Sequence, residues 1–511
     1  MRFVQGNNCD KSLRSIKTAD ARNKVIAYLR RIRIWTLLTC LAIQSLKVFL
    51  DGFATAKGEN AGRITILKDF LESQKPSDEN DKDNVFLNDI MQAWSFACQS
   101  NDDNLQSAVA AVLALLLKTI SSILDLADYG LRLGRTVLHT RQKDLVAKGL
   151  EARKNKDFVI SPVLRLLREI VIFDGGVLAK QVFLARDHTF RNLARNLSLK
   201  YLGDGAEDPR KPSVRTNSLR FLLSLLKFIP IECKRDFLSQ RDILAGITRD
   251  IRDDPPFTVR DVLETLRTSV LLDETLPREA KTKIMNATFM GRIATLYWYG
   301  QTEEVSTPPK KSIDEVAHEF LLLACTSPNL GVLISSSGLY PRGINPDDIH
   351  VFSVEESYIG LGLDSVEWMD KFTEKVSVRN TILSEFTQSL RPWSHTKQSD
   401  LLTAILKSAP ELIADYYFGK KDFSFDPKLT ATWIGYAAFI FSTLQLPFPQ
   451  YFGHQERYAR LPPPPSIVLE SILPQPLTQK VLIRCLNLPN NNLITFFAIR
   501  ILCVAFGKLQ D

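Results

Sequence analysis

The chain has 511 residues, 45 % of them hydrophobic and 24 % charged, with a formal net charge of +8 and a mean hydropathy of −0.06. That balance excludes a chain dominated by disorder and argues against a polytopic membrane protein; the length suits about three to four globular domains or one extended repeat array. The mild basic excess is compatible with RNA, DNA or a membrane surface as partner and selects none of them.

Residues 1–50 carry ten Lys/Arg against two acids, Asp10 and Asp20. The run IWTLLTCLAI (34–43) follows RRIR and could belong to a signal anchor or a mitochondrial presequence. It is half the ~20 residues that a membrane span needs, so it reads as an amphipathic helix with a basic outer face. Residues 1–56 are therefore taken as a basic N-terminal helical segment.

From residue 57 onward, helical periodicity dominates. In 105–140 apolar residues recur every three or four positions, and the run 108–117 ending at Lys118 has the length of a core helix, not a span. SPVLRLLREIVIF (161–173) opens on Ser161 and Pro162, which predicts an N-cap followed by Pro at the first helical position. Its apolar face is Val163, Leu166, Leu167, Ile170 and Val171, with Arg165, Arg168 and Glu169 opposite. Ser213 is placed to cap a helix whose stripe is Leu219, Leu222, Leu223 and Leu226. Further helices are expected in 258–272, 312–325, 398–418 and 491–506, and Ser312 with Glu315 has capping-box spacing. In WIGYAAFIFSTLQL (433–446), fourteen positions carry no charge and Pro447 follows. Asp426-Pro427 is the expected helix entry, and Trp433, Tyr436, Ile440 and Leu444 are expected to be buried.

Polar breaks fall at 73–84, 202–212 and 302–311, an irregular insertion at about 336–378, and a Pro-rich crossing at 447–466. Helices of this kind are stable only when stacked on neighbours. The expected fold is therefore all-α, an armadillo/HEAT-like α-solenoid over 57–511, although no repeat of fixed period is visible.

No catalytic or cofactor motif is present. There is no phosphate loop, GxSxG, HExxH or EF-hand loop, and GLGLDS (360–365) is not a dinucleotide fingerprint. The six histidines are scattered, and the seven cysteines form no CxxC pair and sit mostly among apolar neighbours, as reduced buried thiols do. Asp253 and Asp254 precede Pro255-Pro256 and read as a turn, not a metal pair. Catalytic, metal and cofactor sites are accordingly expected to be none.

The basic clusters are the stronger lead. One comprises Arg132, Arg135, Arg141, Lys143, Lys148, Arg153, Lys154 and Lys156; the other Arg186, Arg191, Arg195 and Lys200. Arg191 and Arg195 are spaced i, i+4 and are expected to share one helix face. Aligned over consecutive helical units, such faces would attract phosphates through counterion release. Ordinary solvated helix faces look the same in sequence. Without RNP or KH signatures, contact would be to backbone and shape, not base identity.

Several stretches carry a resemblance: 91–121, 157–183, KPSVRTNSLRFLLSLLKF (211–228), DIRDDPP (250–256), APELIADYYF (409–418), 423–447 and SIVLESILPQPLTQKVLIRCLN (466–487). Together they resemble the amino-terminal region of the fungal nucleolar pre-ribosomal-associated protein 1 family, from about residue 60 to the end. The resemblance implies an armadillo-type fold, residence in the nucleus and nucleolus, and a role in maturing large-subunit ribosomal RNA. It implies a non-enzymatic scaffold with pre-ribosomal RNA, a sister scaffold protein, a DEAD-box helicase and small assembly factors as partners, and no membrane. Residues 1–56 depart from the usual family start, and the members are far longer, with a second conserved region not matched here. The alternatives are a protein-binding armadillo-type adaptor without RNA contact and a mitochondrially targeted helical protein.

Overall fold

The computed structural model describes residues 40–53, 61–75, 85–201, 207–300, 311–335, 338–343, 375–420, 424–454, 456–459, 461–489 and 491–510. Residues 1–39 of the basic N-terminal segment and 344–374 of the expected insertion lie outside them. The described residues are helical with no strand, consistent with an α-solenoid, and the chain divides into two compact units, Met1–Pro230 and Ile231–Asp511.

The first unit follows a helical stretch at 40–53 with α1 (Ala61–Ser73), α2 (Asn88–Ser100), α3 (Asp103–Ser121), α4 (Ala127–Val137), α5 (Gln142–Leu150), α6 (Asp157–Ile172), α7 (Ala179–Leu184), α8 (Arg186–Thr189), α9 (Leu193–Asn196) and α10 (Val214–Phe228). The long helices α2, α3, α6 and α10 pack side by side in that order. Asp102 starts α3 by accepting from the Asn104 and Leu105 amides, both at 3.1 Å. Helix α3 runs to 19 residues, longer than the apolar run within it. By length and composition it could cross a membrane, yet most of it is buried inside the unit.

Helix α6 is the centre of this unit. Val159, Ile160, Val163, Leu164, Leu166, Leu167, Ile170 and Val171 are all fully buried, because α3 covers one side and α10 another. Its start corrects the expectation at Ser161-Pro162: the helix begins at Asp157 and Pro162 lies inside it. The Pro ring lacks the N–H that the Phe158 carbonyl would receive, and the Ser107 hydroxyl of α3 donates to that carbonyl at 2.5 Å. A tertiary donor thus replaces the missing helical one. Ser213 does cap α10, accepting from the Thr216 amide at 3.2 Å.

The second unit contains α11 (Ile231–Phe237), α12 (Arg241–Thr248), α13 (Pro256–Leu266), α14 (Arg278–Ile284), α15 (Ala287–Ala294), α16 (Ile313–Thr326), α17 (Thr381–Ser389), α18 (Thr396–Ser408), α19 (Leu412–Gly419), α20 (Ala431–Leu444), α21 (Pro465–Ile472), α22 (Gln479–Leu486) and α23 (Asn492–Gln510). One row runs α13, α16, α18, α20, α23, each helix packed on the next; a second runs α12, α15, α17, α19, α21 in the same manner. Two rows advancing together in chain order are what stacked helical units produce. The expected helix over 398–418 is two, α18 and α19, parted at Pro410. Asp253 and Asp254 close a turn, as expected, and Pro256 is the first residue of α13. The capping box at Ser312 and Glu315 is present at the start of α16.

Trp433, Tyr436, Ile440 and Leu444 of α20 are buried. The entry of α20 differs from expectation: Thr430, not Asp426-Pro427, is the cap, accepting from the Trp433 amide at 3.2 Å. Residues 427–429 stay outside the helix while the Trp433 indole donates to the Phe425 carbonyl at 3.2 Å. Gly435 lets α20 approach the chain closely, since a Cβ there would stand 2.8 Å from the Trp393 carbonyl oxygen. Charged groups also enter this unit. Lys281 of α14 is fully buried and donates to the Leu271 and Leu330 carbonyls at 2.8 and 3.3 Å. Burial pushes the Glu470 carboxyl up to about 7, against the pull of its hydrogen bond from the Gln475 amide. Burial pushes Lys508, whose ammonium donates to the Ser471 carbonyl at 2.8 Å, down to about 8. Helix α23 is the second helix long and apolar enough to cross a membrane, with little of it buried. Its exposed face carries Leu493, Phe496, Ile499, Phe506 and Leu509.

Candidate nucleic-acid interface

The two sequence clusters meet around α5. Helix α8 packs against α5, and His188 lies 3.1 Å from the Asp144 carboxylate. The meeting uses up several of the cations. Arg195 donates to the Leu150 and Ala152 carbonyls at 2.9 and 2.8 Å, closing the C-terminal end of α5, where carbonyls lack helical partners. Arg191 pairs with Glu151, Lys156 with Asp103, and Arg132 with Asp128 at 2.8 Å. Arg186 lies over the Phe183 ring, 5.2 Å from its centroid.

The shared helix face expected for Arg191 and Arg195 does not exist. Asn192 between them has φ of 54°, and α9 begins only at Leu193. The left-handed residue turns the chain so that both guanidiniums reach back to the end of α5. Among the described residues, Arg135, Lys148, Arg153 and Lys154 are exposed and carry no ion pair, and Lys143 is half-buried without one. Arg141 and Lys200 are exposed as well.

A second cationic surface was not visible in the sequence. Two adjoining cavities, about 420 and 350 Å³, both have Arg165 and Pro212 in their walls. Lys200 and Lys211 add to the first; Lys118, Arg168, Arg210 and Arg220 add to the second. Helices α3, α6 and α10 supply four of these seven cations, Lys118, Arg165, Arg168 and Arg220, because the three helices lie side by side. The two carboxylates in the walls, Asp157 and Glu169, are both pushed up by burial. In the sequence only Arg210 and Lys211 are adjacent, and the seven cations are spread over about a hundred residues. The outer-face positions of Arg165 and Arg168 were legible; their convergence needed the packing order.

Among the described residues no group of His, Cys, Asp and Glu could hold a metal ion. Cys98, Cys233, Cys325 and Cys485 are buried thiols outside any disulfide. His318 meets the Tyr297 hydroxyl at 3.0 Å, and burial lowers its pKa.

Residues 87–436 match the family model Npa1, described as ribosome 60S biogenesis N-terminal. The nucleolar pre-ribosomal-associated protein 1 of Saccharomyces cerevisiae is 24 % identical over 429 residues, which is 82 % of this chain and 23 % of that protein. The proteins of the same name from Mus musculus and Homo sapiens are 23 % and 24 % identical over 333 residues, 63 % of this chain and 13 % of theirs. The chain thus spans less than a quarter of the length of these relatives.

Proposed function

The chain belongs to the Npa1 family, described as ribosome 60S biogenesis N-terminal, and from that premise we propose that it is a non-enzymatic scaffold of early large-subunit assembly, resident in the nucleolus. The observation that carries this reading is the extent of the match, residues 87–436. It is a likeness of the folded body and not of one motif. The stacked helix rows of the second unit support an armadillo/HEAT-like solenoid over residues 57–511.

The mechanism is multivalent. Cationic surfaces of the first unit hold precursor ribosomal RNA by its backbone, releasing counterions. Apolar faces such as that of α23 hold helices of partner proteins. Several weak contacts on one chain give strong retention without any substrate being turned over. The partners in this reading are pre-ribosomal RNA and other early assembly factors: a sister scaffold protein, a DEAD-box helicase and small factors.

The test is sedimentation of extract from cells expressing a tagged chain, with parallel imaging. The expected result is nucleolar signal and co-sedimentation with large-subunit precursors, with precursor RNA recovered on the tag. A cytosolic or mitochondrial signal, or a chain confined to the light fractions, would overturn the reading. Recovery of protein partners alone, unchanged by nuclease, would favour the adaptor without RNA contact.

A further inference from the structure

The joined cavities of the first unit have a chemistry more specific than a positive surface. Among the described residues Arg165 makes no hydrogen bond or ion pair, and partial burial with no carboxylate opposing it lowers its pKa. The Arg168 Nε is buried with no hydrogen-bond partner, and its nearest carboxylate oxygen, on Glu169, is 3.6 Å away. Both arginines keep exposed surface at the cavity walls, and neither has a hydrogen bond from its guanidinium to a carboxylate. An oxyanion entering between them would supply what they lack. Phe158 and Tyr201 stand in the wall of the larger cavity with 49 % and 44 % of their surface exposed. Exposed rings beside cations in a concave channel are what a base needs to stack while its backbone is held.

We propose that this channel, along α3, α6 and the start of α10, binds single-stranded RNA. Phosphates lie along Lys118, Arg165, Arg168 and Lys211, and a base stacks on Phe158 and Tyr201. An acidic peptide would use the cations and leave the rings idle. A duplex presents its phosphates and shields its base faces. The inference rests on the reading that this chain works on precursor RNA, and it adds a site and a structural class of RNA to it.

The experiment is fluorescence anisotropy of a labelled 12-nucleotide oligouridine with the full chain, over a salt series. The variants are Arg165→Glu with Lys211→Glu, Phe158→Ala with Tyr201→Ala, and, on exposed positions of the second unit, the control Lys407→Glu with Lys428→Glu. Circular dichroism melts accompany each, and Arg165→Gln with Lys211→Gln stands in if charge reversal disturbs folding. The expected result is a loss of tenfold or more for the reversal, with a salt slope shallower by about 0.7 per phosphate contact removed. The ring variant should lose about five- to fifty-fold with its slope unchanged, and the control less than about threefold. Wild-type binding by a folded reversal or neutral variant would overturn the proposal, as would an equally effective duplex or polyglutamate competitor. If RNA binding ignores the channel while the chain still travels with precursors, the site is wrong and the scaffold reading stands. If the channel binds RNA but the chain never sediments with precursors, the reverse holds.

Discussion

The Ser107 hydroxyl on α3 donates to the Phe158 carbonyl on α6, and that carbonyl is the one Pro162 leaves unserved. One serine thereby allows a proline to sit inside the helix that packs against both α3 and α10. Ser107→Ala should cost about 1 kcal/mol, the ordinary worth of a hydrogen bond. Pro162→Ala restores the helical N–H and should make the serine change almost silent. Urea unfolding of the four proteins in a double-mutant cycle checks this; additive effects would show that the two residues do not share the carbonyl.

Arg195 is tied into the fold. Its guanidinium closes the end of α5 on two carbonyls. Arg195→Ala should cost about 1–2 kcal/mol, because the half-buried Ala152 carbonyl loses its donor while the Leu150 carbonyl keeps the Asn196 amide. Arg153→Ala and Lys154→Ala, on exposed turn residues, should stay within about 0.5 kcal/mol of wild type. Chemical denaturation midpoints decide this. Equal costs at the three positions would put Arg195 back among ordinary surface cations.

Ile440 is fully buried in α20, the helix that also carries the ring pair Tyr436 and Phe439. Ile440→Ala should destabilise by about 2–5 kcal/mol and Ile440→Val by about 0.5–1.5. Ile440→Asp adds an unpaired buried charge and should unfold the surrounding helices. Calorimetry of the three variants is the readout, and an aspartate variant melting with wild type would disprove the burial.

Glu470 and Lys508 set a pH profile for the second unit. The Glu470 pKa is raised from 4.5 to about 7, so between those values the unfolded chain loses a proton that the folded chain keeps. Stability therefore falls as pH rises through that window, by about 3 kcal/mol. The Lys508 pKa is lowered from 10.5 to about 8, so its penalty is full below about 8 and is relieved as pH rises towards 10.5. The two together place a minimum of stability between about pH 7 and 8. Glu470→Gln should flatten the acid limb, and Lys508→Met the alkaline one, in urea midpoints measured across pH. A wild-type profile rising from pH 5 to 7 would contradict the Glu470 assignment.

Local signals in the sequence were as good as the chemistry behind them. Ser213, Ser312 and Glu315 act where their spacing put them, because a cap is settled within four residues. Ser161-Pro162 and Asp426-Pro427 carry the same kind of signal and start no helix. In the first case Ser107, more than fifty residues away, supplies the donor that lets α6 begin earlier. In the second, the Trp433 indole bonds back to Phe425, and Thr430 is left to open the helix. Arg191 and Arg195 failed as a pair for a conformational reason, the positive φ of Asn192. The basic clusters were visible because their charges are contiguous in the chain. The channel was not, because α3, α6 and α10 each contribute cations separated by apolar turns.

Lys281 has its amine sealed against the Leu271 and Leu330 carbonyls inside the second unit. An acylating reagent in water therefore meets this lysine only when the layer around α14 opens. The rate at which it is labelled, read by mass spectrometry beside exposed lysines such as Lys154, is a clock for that opening. A binding partner that slows the clock without covering α14 would be acting by stiffening the stack.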